Sequence, residues 1–308
     1  MILCCGEALI DMIPTTTVDG QNAFVPHPGG AVFNTAIALG RLGAEVGLLT
    51  GLSTDIFGAQ LAEALAASHV EAGLALRADR PTTLAFVRLI DGQARYSFYD
   101  ENSAGRMVTA AEMPAVPAQI TALFFGGISL ACEPAAEAYA DLLAREGQSR
   151  AVMLDPNIRP GFIEDAERYR ARLNRMLQQA DIVKVSDEDL AWIVPDTASL
   201  EERVAHLRKR GPAVVIVTRG GEGATGYLQD GTAVHVPAAH ARVVDTVGAG
   251  DTFNAGVLAS LAAADQLTKA ALAALSAKDL EKAMAHGTKV AGVTVSRAGA
   301  DPPWACDL

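Results

Sequence analysis

Positive charge is in short supply in this chain: 25 lysines and arginines stand against 36 acidic residues, a formal net charge of −11 over 308 residues. Nucleic acid and anionic membrane are disfavoured as partners, since both require basic patches. Cysteine is scarce too. Cys4, Cys5, Cys132 and Cys306 fit no zinc spacing, and Cys4-Cys5 sit side by side in an apolar, strand-like run, so a reduced, cytoplasmic protein is expected. The six histidines show no metal-ligand spacing. No charge-free apolar stretch is long enough to span a membrane, and Met1-Ile2-Leu3-Cys4-Cys5-Gly6-Glu7 lacks the basic region and cleavage site of a secretory signal. A G-x-x-x-x-G-K-[ST] stretch is missing as well, which disfavours a P-loop enzyme.

What is present is an alternation of strand-like and helix-like patterns. Residues 2–13 read as a buried first strand ending in Glu7 and Asp11, and 23–25 as a short strand in a turn-rich piece. Residues 45–50, 70–76, 120–125, 151–154, 182–185 and 213–218 read as further strands, separated by helical patterns over 35–42, 57–69, 134–146, 164–179 and 200–210. Strands over 82–90 and 94–99 flank Asp91-Gly92-Gln93, a hairpin signal, and their polar–apolar alternation marks them as half-exposed. The alanine-rich 255–291 reads as a helix pair broken near Ala277-Lys278-Asp279. Strands alternating with helices imply an α/β fold: a doubly wound, mostly parallel sheet with helices on both faces, whose ligands bind beyond the carboxyl ends of the strands. Half of the residues are hydrophobic, enough for a large core, and no repeat or low-complexity linker divides the chain, so 1–308 is expected to form a single domain.

The stretch that organises the rest is Asp245-Thr246-Val247-Gly248-Ala249-Gly250-Asp251-Thr252-Phe253-Asn254-Ala255-Gly256. It reads as a tight turn opening a helix, where main-chain N–H groups without partners and the positive end of the helix dipole make an anion site. Gly248, Ala249 and Gly250 leave those donors open to a phosphate. Asp251 is out of place beside an anion unless it accepts a proton from an attacking hydroxyl while the N–H groups take up charge on the transferring group. Its plainer alternative is a helix cap.

Other motifs are weaker. Gly221-x-Gly223-x-x-Gly226 matches a dinucleotide fingerprint by letters, but strand and turn residues follow where a helix is required, so that reading is rejected. Asn34, after Gly29-Gly30, offers an amide suited to sugar hydroxyls or an ordinary helix cap. Asp11 stands at a strand end, where carboxylates bind hydroxyl pairs or face solvent. Arg159 could clamp a substrate oxygen or pair with Asp155. Ser186-Asp187-Glu188-Asp189 fits a capping box, or else an acidic cluster arranging water-bound Mg2+ near a triphosphate.

Two stretches taken together resemble the signatures of the ribokinase-like (PfkB-type) carbohydrate kinases: Gly29-Gly30-Ala31-Val32-Phe33-Asn34-Thr35-Ala36-Ile37-Ala38-Leu39-Gly40-Arg41-Leu42-Gly43, and the stretch at 245–256. Their order matches and their separation nearly does, and Gly6-Glu7-Ala8-Leu9-Ile10-Asp11 with Asp155-Pro156-Asn157-Ile158-Arg159-Pro160 is most similar to bacterial fructokinases. The resemblance implies a small β lid from about 13–26 and 82–102, with Asp251 as base and Gly248, Ala249 and Gly250 as the anion hole. It implies that Asp11, Gly30, Asn34, Tyr96, Phe98 and Arg159 meet the sugar. Lys184, Ser186, Thr218, Gly220, Gly223, Gly248, Gly250 and His286 would meet ATP. Asp189 would act indirectly on Mg2+, and carbonyls near Asp245 and Val247 would bind a monovalent cation such as K+. The family's N-x-x-E motif is here Ser186-x-x-Asp189, whose acid is one methylene short. The implied partners are a small sugar and ATP, with a homodimer formed through the lid. Kinases of 2-keto-3-deoxygluconate share much of this pattern, and a sugar- or nucleotide-binding regulator without turnover is the alternative of another class.

Overall fold

A computed structural model describes residues 1–90, 93–195 and 199–308, without the side chains of 88–90 and 93–96. The early strands are β1 (Ile2–Cys5), β2 (Leu9–Thr16), β3 (Asn22–Gly29), β4 (Val46–Leu49) and β5 (Gly51–Ser53). Next come β6 (Val70–Glu71), β7 (Leu76–Ala78), β8 (Leu84–Ile90), β9 (Gln93–Tyr99) and β10 (Ala122–Gly126). The last five are β11 (Ala151–Asp155), β12 (Ile182–Ser186), β13 (Val214–Thr218), β14 (Ala224–Leu228) and β15 (Ala233–Val236). A nine-stranded sheet runs β15-β14-β13-β12-β11-β10-β1-β4-β6, parallel from β13 to β6 and antiparallel at β14 and β15.

Successive side chains of a strand point to opposite faces, and here both faces are covered. Ile2 and Cys4 of β1 enter one apolar core while Leu3 and Cys5 enter the other, as Val214 and Ile216 of β13 separate from Val215 and Val217. The first core is closed by helices α1 (Ala31–Arg41) and α2 (Ile56–Ala67). The second is closed by α3 (Ala135–Glu146), α4 (Ala166–Leu177), α5 (Asp187–Ile193) and α6 (Leu200–Arg208). Helices α7 (Ala249–Ala263), α8 (Lys269–Ala273) and α9 (Ala277–Val295) complete the first side. The doubly wound arrangement expected from the sequence is present. Burial on both faces explains why these strands read as continuous apolar runs.

A smaller four-stranded sheet, β3-β2-β8-β9, stands apart from the main one. Pro26 and Pro28 fall in β3, an edge strand, where a missing N–H costs no ladder bond. The expected strand over 2–13 is therefore two strands in two sheets. The break falls at Gly6, where a side chain's first carbon would sit 2.5 Å from a Val32 methyl and 2.7 Å from the Ser129 hydroxyl. The strand expected over 70–76 is also divided, β6 joining the main sheet and β7 pairing with β5. The helix pair expected over 255–291 carries a short third helix, α8, between its members. Strands β8 and β9 pair antiparallel as the hairpin signal requires, while Asp91 and Gly92 of its turn lie outside the described residues. No helix among the described residues is long and apolar enough to cross a membrane.

Candidate active site

The turn before α7 is built on Gly248, whose left-handed backbone (φ 77°) caps the helix. A side chain there would also meet Ala300 at 2.7 Å, so glycine is required on two counts. The Thr252 hydroxyl donates back to the Gly248 carbonyl at 3.0 Å. Gly250 and Asp251 occupy the first helical turn, whose N–H groups have no acceptor within the helix.

Asp251 is only 8% exposed, yet it lines a cleft of about 770 Å3. Its carboxylate does not close on its own helix start. Instead Oδ2 accepts a hydrogen bond of 2.9 Å from Asn34 Nδ2 of α1. Burial pushes the acid up to about 7; the Asn34 bond and the Lys184 charge oppose that rise, and the carboxylates of Asp155 and Glu7 add to it.

Asp11, Gly30, Asn34, Phe98 and Arg159 line the same cleft. The Asp11 carboxyl, raised to about 6 by burial, lies so near Gly29 that a side chain there would meet its oxygen at 2.2 Å. Arg159 is exposed and donates to the neighbouring Ile158 carbonyl at 3.2 Å. It does not pair with Asp155, which Lys184 and Asn254 hold instead at 3.0 and 2.7 Å. The side chain of Tyr96 lies outside the described residues.

A second cavity of about 290 Å3 abuts the first across Ala249 and Gly250. Thr218, Gly220 and Gly223 line it, together with Val243 and Thr288. Gly223 (φ 94°) runs so close to Val236 that a side chain would meet that carbonyl at 2.2 Å. The turn from β13 leads into an antiparallel strand, β14, which bears out the rejection of a dinucleotide fingerprint.

Several sequence-selected residues are placed differently. His286 lines neither cavity; Thr288, two residues on, lines the second. Lys184 and Gly248 face the first cavity, not the second. Ser186 and Asp189 form the capping box: the Ser186 hydroxyl accepts from Asp189 N at 2.9 Å and Asp189 Oδ2 accepts from Ser186 N at 3.2 Å. The other Asp189 oxygen accepts from Ile158 N at 2.9 Å, so main chain orients the carboxylate through both oxygens. Asp245 bridges two loops in the same manner, accepting from Val247 N at 3.0 Å and Gly299 N at 2.9 Å.

Sequence reasoning gave no role to Glu7 or to Arg106, both of which line the first cleft. The Arg106 guanidinium bridges the Glu133 carbonyl and the Glu164 carboxylate at 3.1 and 2.9 Å. An acid just past a short apolar run was the available signal for Glu7; Arg106 left none.

Two abutting cavities, a buried carboxylate in one and glycine walls around the other, at the carboxyl edge of a doubly wound sheet, define a phosphoryl-transfer enzyme with two small substrates. The chain belongs to the pfkB family carbohydrate kinases, whose family model matches residues 1–305. It is an ATP-dependent sugar kinase. A fructokinase of Rhizobium leguminosarum bv. trifolii is 50% identical over 289 residues, covering 93% of this chain and 86% of that protein. The crystal structure of a fructokinase from Xylella fastidiosa with bound ATP superposes with a TM-score of 0.88 at 28% identity, covering 97% of this chain and 93% of that one. An aminoimidazole riboside kinase from Salmonella enterica, complexed with aminoimidazole riboside and an ATP analog, gives 0.82 at 25% identity, with 97% and 94% covered.

Proposed function

We propose that this chain phosphorylates fructose, with the sugar in the larger cleft, ATP in the smaller cavity, and Asp251 as the base between them. The observation that carries this reading is the position of Asp251: a buried carboxylate that faces the sugar cleft, one residue from the Gly250 N–H and the wall of the second cavity. Near its folded-state pKa of about 7 such a group can take a proton at neutral pH. The N–H groups at Gly248, Ala249 and Gly250 would take up charge on the transferring phosphoryl group. Lys184 supports them, since a first side-chain carbon on Gly250 would lie 3.1 Å from its Nζ. Asp11, Gly30 and Asn34 hold sugar hydroxyls, and the four-stranded sheet is the lid that excludes water. Thr218, Gly220 and Gly223 receive the phosphates. Fructose is favoured over other sugars by the 50% identity to a fructokinase.

Mg2+ neutralises phosphate charge when bound to a triphosphate. Among the described residues there is no cluster of three or more His, Cys, Asp or Glu that could hold a metal, and each Asp189 oxygen accepts one main-chain N–H, which leaves a lone pair on each. Mg2+ would enter with ATP, keeping several waters, and Asp189 would meet it through one of those waters. For K+, the supporting feature is Asp245, which draws the 245–247 and 296–299 loops together. The exposed Ile13, Phe24 and Val25 of the lid favour pairing of two lids in a homodimer. The unpaired thiols Cys4, Cys5, Cys132 and Cys306 suit a reducing, cytoplasmic setting.

A coupled assay of ADP release with fructose, ribose, 2-keto-3-deoxygluconate and adenosine tests the reading. Turnover should be greatest with fructose. Turnover with the sugar acid alone would transfer the assignment to that substrate, and silence with all four would favour a binding protein.

A further inference from the structure

One buried carboxylate in the sugar cleft has no part in the chemistry above. We propose that Glu7 is the positioning residue of this site: its carboxylate fastens the start of α1 to the turn after β10, and so sets Asn34 against Asp251. This inference rests on the kinase reading.

Glu7 is 8% exposed and stands where the chain leaves β1 of the main sheet for β2 of the lid. Helix α1 begins at Gly30, which supplies no side-chain cap. The missing cap comes from 24 residues upstream: Glu7 Oε1 accepts from Ala31 N at 3.0 Å, and the Glu7 carbonyl accepts from Phe33 N at 3.2 Å. Its second oxygen accepts from Ser129 N at 3.2 Å, in the short turn Gly127–Leu130. A carboxylate at a helix start also lies at the positive end of the helix dipole.

The surroundings are shaped to this one acid. Gly127 (φ 67°) approaches until a side chain would meet Glu7 Oε1 at 2.0 Å, and at Gly30 (φ 107°) it would meet the Glu7 carbonyl at 3.1 Å. One turn along the same rigid helix, Asn34 reaches Asp251. Displacement at Ala31 is therefore carried to the base. A cap serving stability alone would not require a distant residue facing the substrate cleft.

Among the described residues the charge of Glu7 is felt by Asp251 from α7, Tyr139 from α3, and Cys132 just before α3. Burial raises the Tyr139 phenol and the Cys132 thiol far above neutrality. Burial also raises Glu7 itself, opposed by the N–H bonds that it accepts, and raises Asp11 of the same cleft to about 6, so the limb near pH 7 is that of Asp251.

Glu7→Asp keeps the charge but cannot span both N–H groups. In the wild-type protein, turnover with a sugar comes first; its absence would overturn the kinase reading and leave this inference without an object. With an active wild type, Glu7→Asp should lower kcat about 10- to 100-fold, the effect of a displacement of about 1 Å at a reacting centre. The KM for ATP should stay within about twofold, because the second cavity is untouched. The acid limb of the pH profile should move to higher pH as the Asn34 bond to Asp251 weakens. Should Glu7→Asp fail to fold, Ala31→Pro deletes one of the two N–H groups at a helix position that tolerates proline, and the same changes are expected. In an Asn34→Ala background, Glu7→Asp should add less than about twofold, because its path to the base is already cut. Wild-type kcat and an unmoved acid limb in the single variants, or losses that multiply in the double variant, would overturn the proposal.

Discussion

Asn34 and Asp251 are 217 residues apart in sequence and joined by a hydrogen bond of 2.9 Å between the Asn34 amide and a carboxylate oxygen. Both are buried. The bond brings together the starts of α1 and α7, where the Thr35 hydroxyl shares its one proton between the Ala31 carbonyl at 3.0 Å and the Asp251 carbonyl at 3.2 Å. One oxygen of the proposed base is thus fixed by protein, which would leave the other for a substrate hydroxyl.

Removing that amide should disturb chemistry and titration together. Asn34 opposes the rise in the Asp251 pKa, so Asn34→Ala should move the acid limb of the pH profile upward from about 7. It should also lower kcat by at least about tenfold, because the carboxylate loses its orientation. A kcat/KM pH profile of both proteins checks this.

The raised pKa has a stability counterpart with a definite sign. Folding raises Asp251 from 3.8 to about 7, so the folded state holds a proton that the unfolded chain gives up between those values. The stability contributed by the neutral acid is full below about pH 4 and is lost as pH rises through 7. Asp251→Asn removes this loss. The variant should exceed the wild type in stability at pH 8, by on the order of 2–4 kcal/mol at most, with the difference vanishing near pH 4. Urea denaturation at the two pH values measures it.

Lys184 is 5% exposed and its ammonium is 3.0 Å from Asp155, which is 2% exposed. Lys184→Met leaves that carboxylate with the Asn254 amide as its remaining buried side-chain donor. A cost of about 3–5 kcal/mol in folding free energy follows from stranding a buried charge. Since the Lys184 charge lowers the Asp251 pKa, the acid limb should also move upward. Denaturation and a pH profile on the same preparation separate the two effects.

The parts of this molecule that could be read in the sequence are those whose causes are local. Gly248 and Asp251 announce a helix start by their spacing, and the strand–helix alternation follows from side-chain periodicity. The break at Gly6 was invisible because the atoms that require glycine there belong to Val32 and Ser129. Glu7 and Arg106 escaped for the same reason: Ala31, Ser129, Glu133 and Glu164, which they bind, are distant in the chain. The role of Ser186 and Asp189 stood open between a capping box and a metal-organising pair. The geometry forms the capping box and gives each acid oxygen one main-chain N–H, a pairing that local sequence offered only as one of the two.

The central claim is that Asp251 accepts the proton of the attacking hydroxyl, and steady-state kinetics of Asp251→Asn with fructose and ATP test it most directly. The amide can still pair with Asn34 but cannot act as a base, so kcat should fall by about two to four orders of magnitude, with the KM for ATP little changed. A variant that turns over at near wild-type rate would contradict the account.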